Sequence, residues 1–133
     1  MNLEILKIAS NTKNLKNIKK YTHYSKSKNP LCGDEIHIKL IINDQKVVDF
    51  GYQGKSCVYC QATASILSNK LINYKTLKIN ELCDYAKAYF GENHENLKKE
   101  WKFLNKLLTK KNISRRQCIL LPFNALKKIV SKL

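Results

Sequence analysis

The chain has 133 residues, with 25 Lys and Arg against 10 Asp and Glu, a formal net charge of +15. That length suits one domain over residues 1–133, and the 44% apolar content argues against global disorder. Five cysteines are too few and too odd in number for a disulfide scaffold, and no apolar run reaches the roughly 20 residues of a membrane span. Glu4 and Lys7 interrupt the apolar residues of the first ten positions, against a signal peptide. The expected compartment is a reducing cytoplasm, where cysteines serve as metal ligands or nucleophiles. The positive charge is dilute. Nearly all of it is Lys, scattered among Asn and Ile, three residue types that A/T-rich codons favour. Arg, the residue for bidentate base or phosphate contacts, occurs only at Arg115 and Arg116.

Leu3, Leu6 and Ile8 predict a short N-terminal helix, followed by a basic connector to about residue 20 and a loop over residues 25–30. From Ile36 the period changes: Ile36, Ile38, Leu40 and Ile42 alternate with Glu35, His37, Lys39 and Ile41, which is strand spacing. Asn43-Asp44-Gln45-Lys46 supplies turn chemistry, and residues 47–52 read as the returning strand of a hairpin. Ala62, Ile66 and Leu67 share one face of a helix over about 58–72. Asn80 reads as the N-cap of a second helix carrying Leu82, Tyr85, Ala86 and Tyr89, with Gly91 as its stop. Leu97, Trp101, Leu104 and Leu108 stripe a third. A last helix starts near Cys118, with Pro122 tolerated by its closeness to the first turn. The predicted architecture is α+β: a small antiparallel hairpin or three-stranded sheet packed against several helices.

Three short stretches concentrate the chemistry. Asn29-Pro30-Leu31-Cys32-Gly33-Asp34 leads into the hairpin, Gly54-Lys55-Ser56-Cys57 leaves it, and Arg115-Arg116-Gln117-Cys118 opens the last helix. Each puts a thiol at an element end, two of them at predicted helix N-termini, where the dipole and free N–H groups favour thiolate. Three thiolates and one carboxylate converging would suit zinc or an iron–sulfur cluster. Cys83 borders the apolar face of its helix and reads as packing. Cys57-Val58-Tyr59-Cys60 is a lone Cys-x-x-Cys; Cys60, one turn beyond Cys57, reads as a packed or spare thiol, the open alternative being that it faces the same pocket and replaces Asp34 as ligand. His23 and His94 lie in polar surroundings, and His37 falls on the hairpin face opposite the apolar residues, so no histidine is assigned as a ligand.

Together these stretches resemble the U-type iron–sulfur assembly proteins, namely IscU, SufU and the N-terminal part of NifU. The Asn-Pro-x-Cys-Gly-Asp loop is similar to their first ligand loop. Gly54-x-x-Cys57 followed by Ala62-Thr63-Ala64-Ser65 is similar to the second ligand and its small-residue helix, and Cys118 with Arg115 three before it to the third. The resemblance runs from about Asn29 to the C-terminus. Gln117 stands where IscU proteins have His, and Lys110-Lys111-Asn112-Ile113-Ser114 replaces their Leu-Pro-Pro chaperone segment. The long interval from Cys57 to Cys118 is SufU-like. Ser56 replaces a usual Gly, and the N-terminal segment lacks the His-Tyr-x-x-Pro-Arg-Asn motif that helps partners dock in relatives.

The resemblance implies a metal site of Cys32, Asp34, Cys57 and Cys118, the three thiols also being the cluster ligands, with zinc bound on isolation and a transient [2Fe–2S] cluster as the other cargo. A carboxylate among thiolates is a harder, more weakly held ligand, so one coordination position can open. Three thiolates, one carboxylate and Zn²⁺ sum to about −2, which makes Arg115 a sensible counter-charge beside the ligands. By resemblance Cys32 accepts persulfide sulfur from a cysteine desulfurase, and a downstream protein accepts the sulfur or cluster. Such a chain is a scaffold or sulfur-transfer protein more than a turnover enzyme. Two other classes stay open: a cysteine-nucleophile hydrolase, which would need a His base that the sequence places near no cysteine, and a basic zinc-stabilised nucleic-acid-binding module. The latter would need clustered Arg and interleaved aromatics, and only Tyr21 and Tyr24 beside Lys19 and Lys20 offer such a patch.

Overall fold

The computed structural model describes residues 2–91 and 97–133. Helix α1 (Leu3–Ala9) is capped by Asn2, whose side chain accepts from the N–H groups of Glu4 and Ile5. Strands β1 (His23–Lys28), β2 (Glu35–Asn43) and β3 (Lys46–Lys55) form one antiparallel sheet in the order β1-β2-β3. Helices α2 (Val58–Lys70) and α3 (Thr76–Tyr89) follow, then two 3-10 stretches (Lys99–Leu104 and Lys110–Arg115) and α4 (Arg116–Val130). This is the expected α+β architecture.

The alternation read along β2 is the burial pattern observed: Ile36, Ile38 and Leu40 are buried, while His37 and Lys39 are half-buried on the other face. Asp44 and Gln45 both take positive φ, 51° and 63°, as a two-residue hairpin turn requires. Helix α4 packs across β1 and β2, α2 packs against β3, and α1 and α3 lie on α2 and α4 respectively. Between these layers sits a core that includes Phe50, Tyr52, Leu67, Leu82, Trp101, Phe123 and Leu126.

Four local expectations are corrected. Residues 25–30 are not simply loop: β1 runs to Lys28, and its inward positions are Ser25 and Ser27, both buried, so the strand carries no apolar signature. Helix α3 starts at Thr76 with Lys75 as N-cap, and Asn80 lies inside it, accepting a hydrogen bond from Lys127 Nζ at 2.6 Å. The Leu97–Leu108 stripe is not one α-helix. Trp101 (φ −108°, ψ 16°) kinks the first 3-10 stretch, so Trp101, Leu104 and Leu108 reach the core from short turns. Finally, α4 begins at Arg116, which puts Pro122 at its seventh residue, past the first turn. The missing N–H there removes the helical donor to the carbonyl of Cys118.

Residues 10–22 are held along the sheet edge. Asn14 is buried; its amide donates to Ser68 Oγ (3.1 Å) and Asn69 Oδ1 (3.2 Å), and its carbonyl accepts from the Tyr52 N–H (3.1 Å). This ties the N-terminal connector to β3 and α2, and so to the helix whose N-cap is Cys57.

Candidate metal centre

The first ligand loop is built by its own hydrogen bonds. Asn29 Oδ1 accepts from the Leu31 N–H at 3.0 Å, the Asn29 carbonyl accepts from the Gly33 N–H, and the Asn29 N–H donates to the Asp34 carbonyl, each of the latter two at 2.8 Å. Gly33 turns the chain at φ 79°. The product is a tight loop that presents Cys32, exposed, and Asp34, half-buried, on the same side.

The second stretch leaves β3 through Gly54 (φ 146°), where a β-carbon would collide with the Glu35 carbonyl of the paired strand. Cys57 is the N-cap of α2 and makes no side-chain cap bond. The position is satisfied from across the site instead: the Cys57 N–H donates to Asp34 Oδ2 at 3.0 Å. Asp34 therefore serves as the helix's cap in trans, with its other oxygen free to ligate. The third stretch delivers Cys118 from the first turn of α4.

One ligand atom each from Cys32, Asp34 and Cys118 lie within 4.8 Å of one another, the only such trio of metal-ligating side chains among the described residues. Cys57 is not within that trio. Its thiol is near enough to Cys118 to help raise that group's pKa, and its backbone N–H donates to Asp34, so it stands at the margin of the same site. Helix N-termini were expected to favour thiolate at both cysteines. At Cys118 other effects win: burial, the Cys57 thiol, and the nearby Asp34 and Cys32 push its pKa up to about 12. Several acidic groups crowded into one half-buried pocket cannot all ionise without a cation. A thiophilic metal ion would relieve this crowding, because coordination deprotonates a thiol outright. The donor set of soft sulfur and one carboxylate fits such an ion.

Arg115 places its guanidinium 5.5 Å from the Tyr59 ring centroid, a cation–π contact at the first turn of α2. Arg116 donates instead to the Ile113 carbonyl at 2.8 Å. Cys83 is buried, its pKa pushed to about 12 by desolvation, with no thiol among the groups acting on it. Of the histidines, His23 contacts the Thr22 hydroxyl and His37 bridges Tyr24 (2.6 Å) and Glu35 (3.2 Å); neither faces the cysteines, and His94 lies outside the described residues.

The Tyr21–Tyr24 patch belongs to the outer face of the sheet, where it forms a shallow groove of about 430 Å³ with His37, Lys39 and Gln53. Its lining has a single lysine and no arginine, too little cationic surface for a phosphate track. No helix among the described residues is long and apolar enough to cross a membrane.

Residues 2–87 match the model of the NifU-like N-terminal domain. The iron–sulfur cluster assembly scaffold protein IscU of Thermotoga maritima is 33% identical over 116 residues, which cover 84% of this chain and 79% of that protein. Two solved structures share the fold. A nitrogen-fixing NifU-like protein (N-terminal) from Brucella abortus superposes with a TM-score of 0.86 at 21% identity, over 98% of this chain and 92% of that one. A putative iron–sulfur cluster assembly scaffold protein for the SUF system from Fervidobacterium islandicum gives 0.86 at 20% identity, over 98% and 96%.

Proposed function

The chain belongs to the NifU-like N-terminal domain family, and from that premise we propose that it is an iron–sulfur cluster assembly scaffold of the SufU-like kind, residues 1–133 acting as one unit. The observation that carries this reading is the gathering of Cys32, Asp34 and Cys118 within 4.8 Å, with Cys57 beside them, from three separate stretches of chain. Cys32, Asp34, Cys57 and Cys118 are the ligand set, and Arg115 balances its negative charge from the α2 side. Zinc held there would supply positive charge that keeps the thiols ionised at neutral pH.

Cys32 is the sulfur acceptor. It is the exposed member of the set, at a loop tip beside the 91%-exposed Leu31, so a large partner reaches it without opening the fold. Its thiolate attacks the outer sulfur of a persulfide on a cysteine desulfurase. The donor's S–S bond breaks, the donor cysteine leaves as thiolate, and Cys32 carries the new S–S bond. With a soft ion bound, Asp34 would be the most weakly held donor, because it offers oxygen among sulfurs, and its carboxylate accepts from the Cys57 N–H. The sulfur, or a [2Fe–2S] cluster assembled as cargo on the same donors, then passes to a downstream acceptor in a reducing cytoplasm.

The test is incubation with a cysteine desulfurase and free cysteine, followed by intact-mass spectrometry. The unsubstituted chain should gain the mass of one sulfur atom, and Cys32→Ser should gain none. Undiminished labelling of that variant would refute the acceptor assignment. Elemental analysis of the purified chain should find zinc or iron, and the absence of both would sink the metal site.

A further inference from the structure

Each of the three ligand stretches carries cations of its own. Lys28 ends β1 just before the Cys32 loop, Lys55 ends β3 two residues before Cys57, and Arg115 and Arg116 stand where α4 begins, ahead of Cys118. All four side chains are exposed. Lys28 and Lys55 flank Glu35 in one register row across the sheet, at the end from which the first two stretches leave. The neighbouring carboxylates are engaged elsewhere: Glu35 contacts His37 Nε2 at 3.2 Å, and Asp34 accepts from the Cys57 N–H at 3.0 Å. Among the described residues none of the four cations is held in an ion pair. Within this rim stands Leu31, next to Cys32 and, at 91% exposure, the most exposed large apolar side chain described.

Resting on the sulfur-acceptor reading of Cys32, we propose that this rim is a docking surface for the acidic face of a partner protein, which seats Leu31 in an apolar recess and so brings a donor sulfur to Cys32. An apolar anchor inside a charged rim is the anatomy of a specific protein interface. The cations steer an acidic face toward the loop and fix its orientation, while the desolvated leucine holds it there. Four cations outweigh Glu35 together with the charge of about −2 that three thiolates, one carboxylate and Zn²⁺ would leave at the site, so the net field at Cys32 still attracts an anionic partner. Leu31 decides between a protein and a nucleic acid. A phosphate backbone offers an aliphatic side chain no recess, and the exposed rim residues include no aromatic ring on which a base could stack.

The test pairs the full chain, as purified, with the cysteine desulfurase of the same organism. Isothermal titration without free cysteine reads Kd, and intact-mass spectrometry after cysteine is added reads sulfur gain. Raising NaCl from about 50 to about 300 mM should weaken binding of the unsubstituted chain steeply. A triple variant, Lys28→Glu with Lys55→Glu and Arg116→Glu, should bind about tenfold more weakly at low salt and show a shallower salt slope. Leu31→Ala should weaken binding about fivefold and leave the salt slope as it was. Gln at the same three positions carries the comparison if circular dichroism shows that the reversed variant does not fold. A Kd indifferent to salt, to charge reversal or to Leu31→Ala overturns the proposal, even where sulfur is transferred, and so does an absence of binding at low salt. Salt-sensitive binding with no sulfur gain keeps the docking surface and refutes Cys32 as acceptor, so the two readings fail separately. If the triple variant loses a single-stranded oligonucleotide but keeps the unsubstituted Kd for the desulfurase, the rim is a nucleic-acid surface and the proposal falls.

Discussion

Cys32, Cys60 and Cys83 are the same side chain in three electrostatic settings, and their reactivity should sort accordingly. Cys32 is exposed, whereas burial pushes the thiols of Cys60 and Cys83 up to about 12. In the folded, metal-free chain at mildly alkaline pH, iodoacetamide should modify Cys32 first and leave Cys83 untouched until denaturant is added, as read by peptide mass spectrometry. A thiol whose folded pKa is raised contributes stability that is complete below its unfolded value and declines as pH climbs toward the folded one. The urea midpoint should therefore fall above about pH 9, and Cys83→Val should flatten that fall. Asp34 has a structural duty apart from ligation. Without metal, Asp34→Ala should cost about 1 kcal/mol by removing the acceptor of the Cys57 N–H, and Asp34→Asn should recover most of it in urea titrations.

At the scale of elements, the site depends on how β3 becomes α2. Gly54 holds φ 146° with its α-carbon against the Glu35 carbonyl, three residues before Cys57. Gly54→Ala should destabilise the chain by about 2 kcal/mol and lower its metal occupancy, because the strand end that aims Cys57 must shift. The hairpin was legible because Ile36, Ile38 and Leu40 alternate cleanly. Strand β1 was not, because its buried positions are Ser25 and Ser27 and pairing with β2 comes from backbone bonds that no side chain advertises. The stripe from Leu97 to Leu108 misled in the opposite way: apolar spacing says which residues reach the core, but two short 3-10 stretches can deliver them as well as a helix.

Across the whole molecule, the proposed metal centre is a junction. Its proposed donors come from the β1–β2 loop, the start of α2 and the start of α4, so an ion bound there would tie sheet to helices. Binding to the folded chain alone stabilises it by about 2.7 kcal/mol at a free concentration of 100 times Kd. Scanning calorimetry should show a higher Tm for the zinc-loaded chain, a drop on chelation, and no such difference in Cys118→Ser. Of the charges behind the net +15, the Arg115 guanidinium lies over Tyr59 in the first turn of α2.

The sequence by itself determined which candidate donors are on offer: three cysteines and an aspartate, each in a local context of turn or helix start that short-range rules can read. It also determined the α+β class, through periods of two and of about 3.6. Only the tertiary structure decided that Cys57 stands at the margin of a tight Cys32–Asp34–Cys118 trio, that Asp34 caps α2 across the site, and that Cys60 and Cys83 are both buried in the core. The reason is physical. Periodicity and capping are set by neighbours along the chain, whereas desolvation and side-chain proximity are set by which elements meet, and residues 32 and 118 meet only when the whole sheet and α4 are in place.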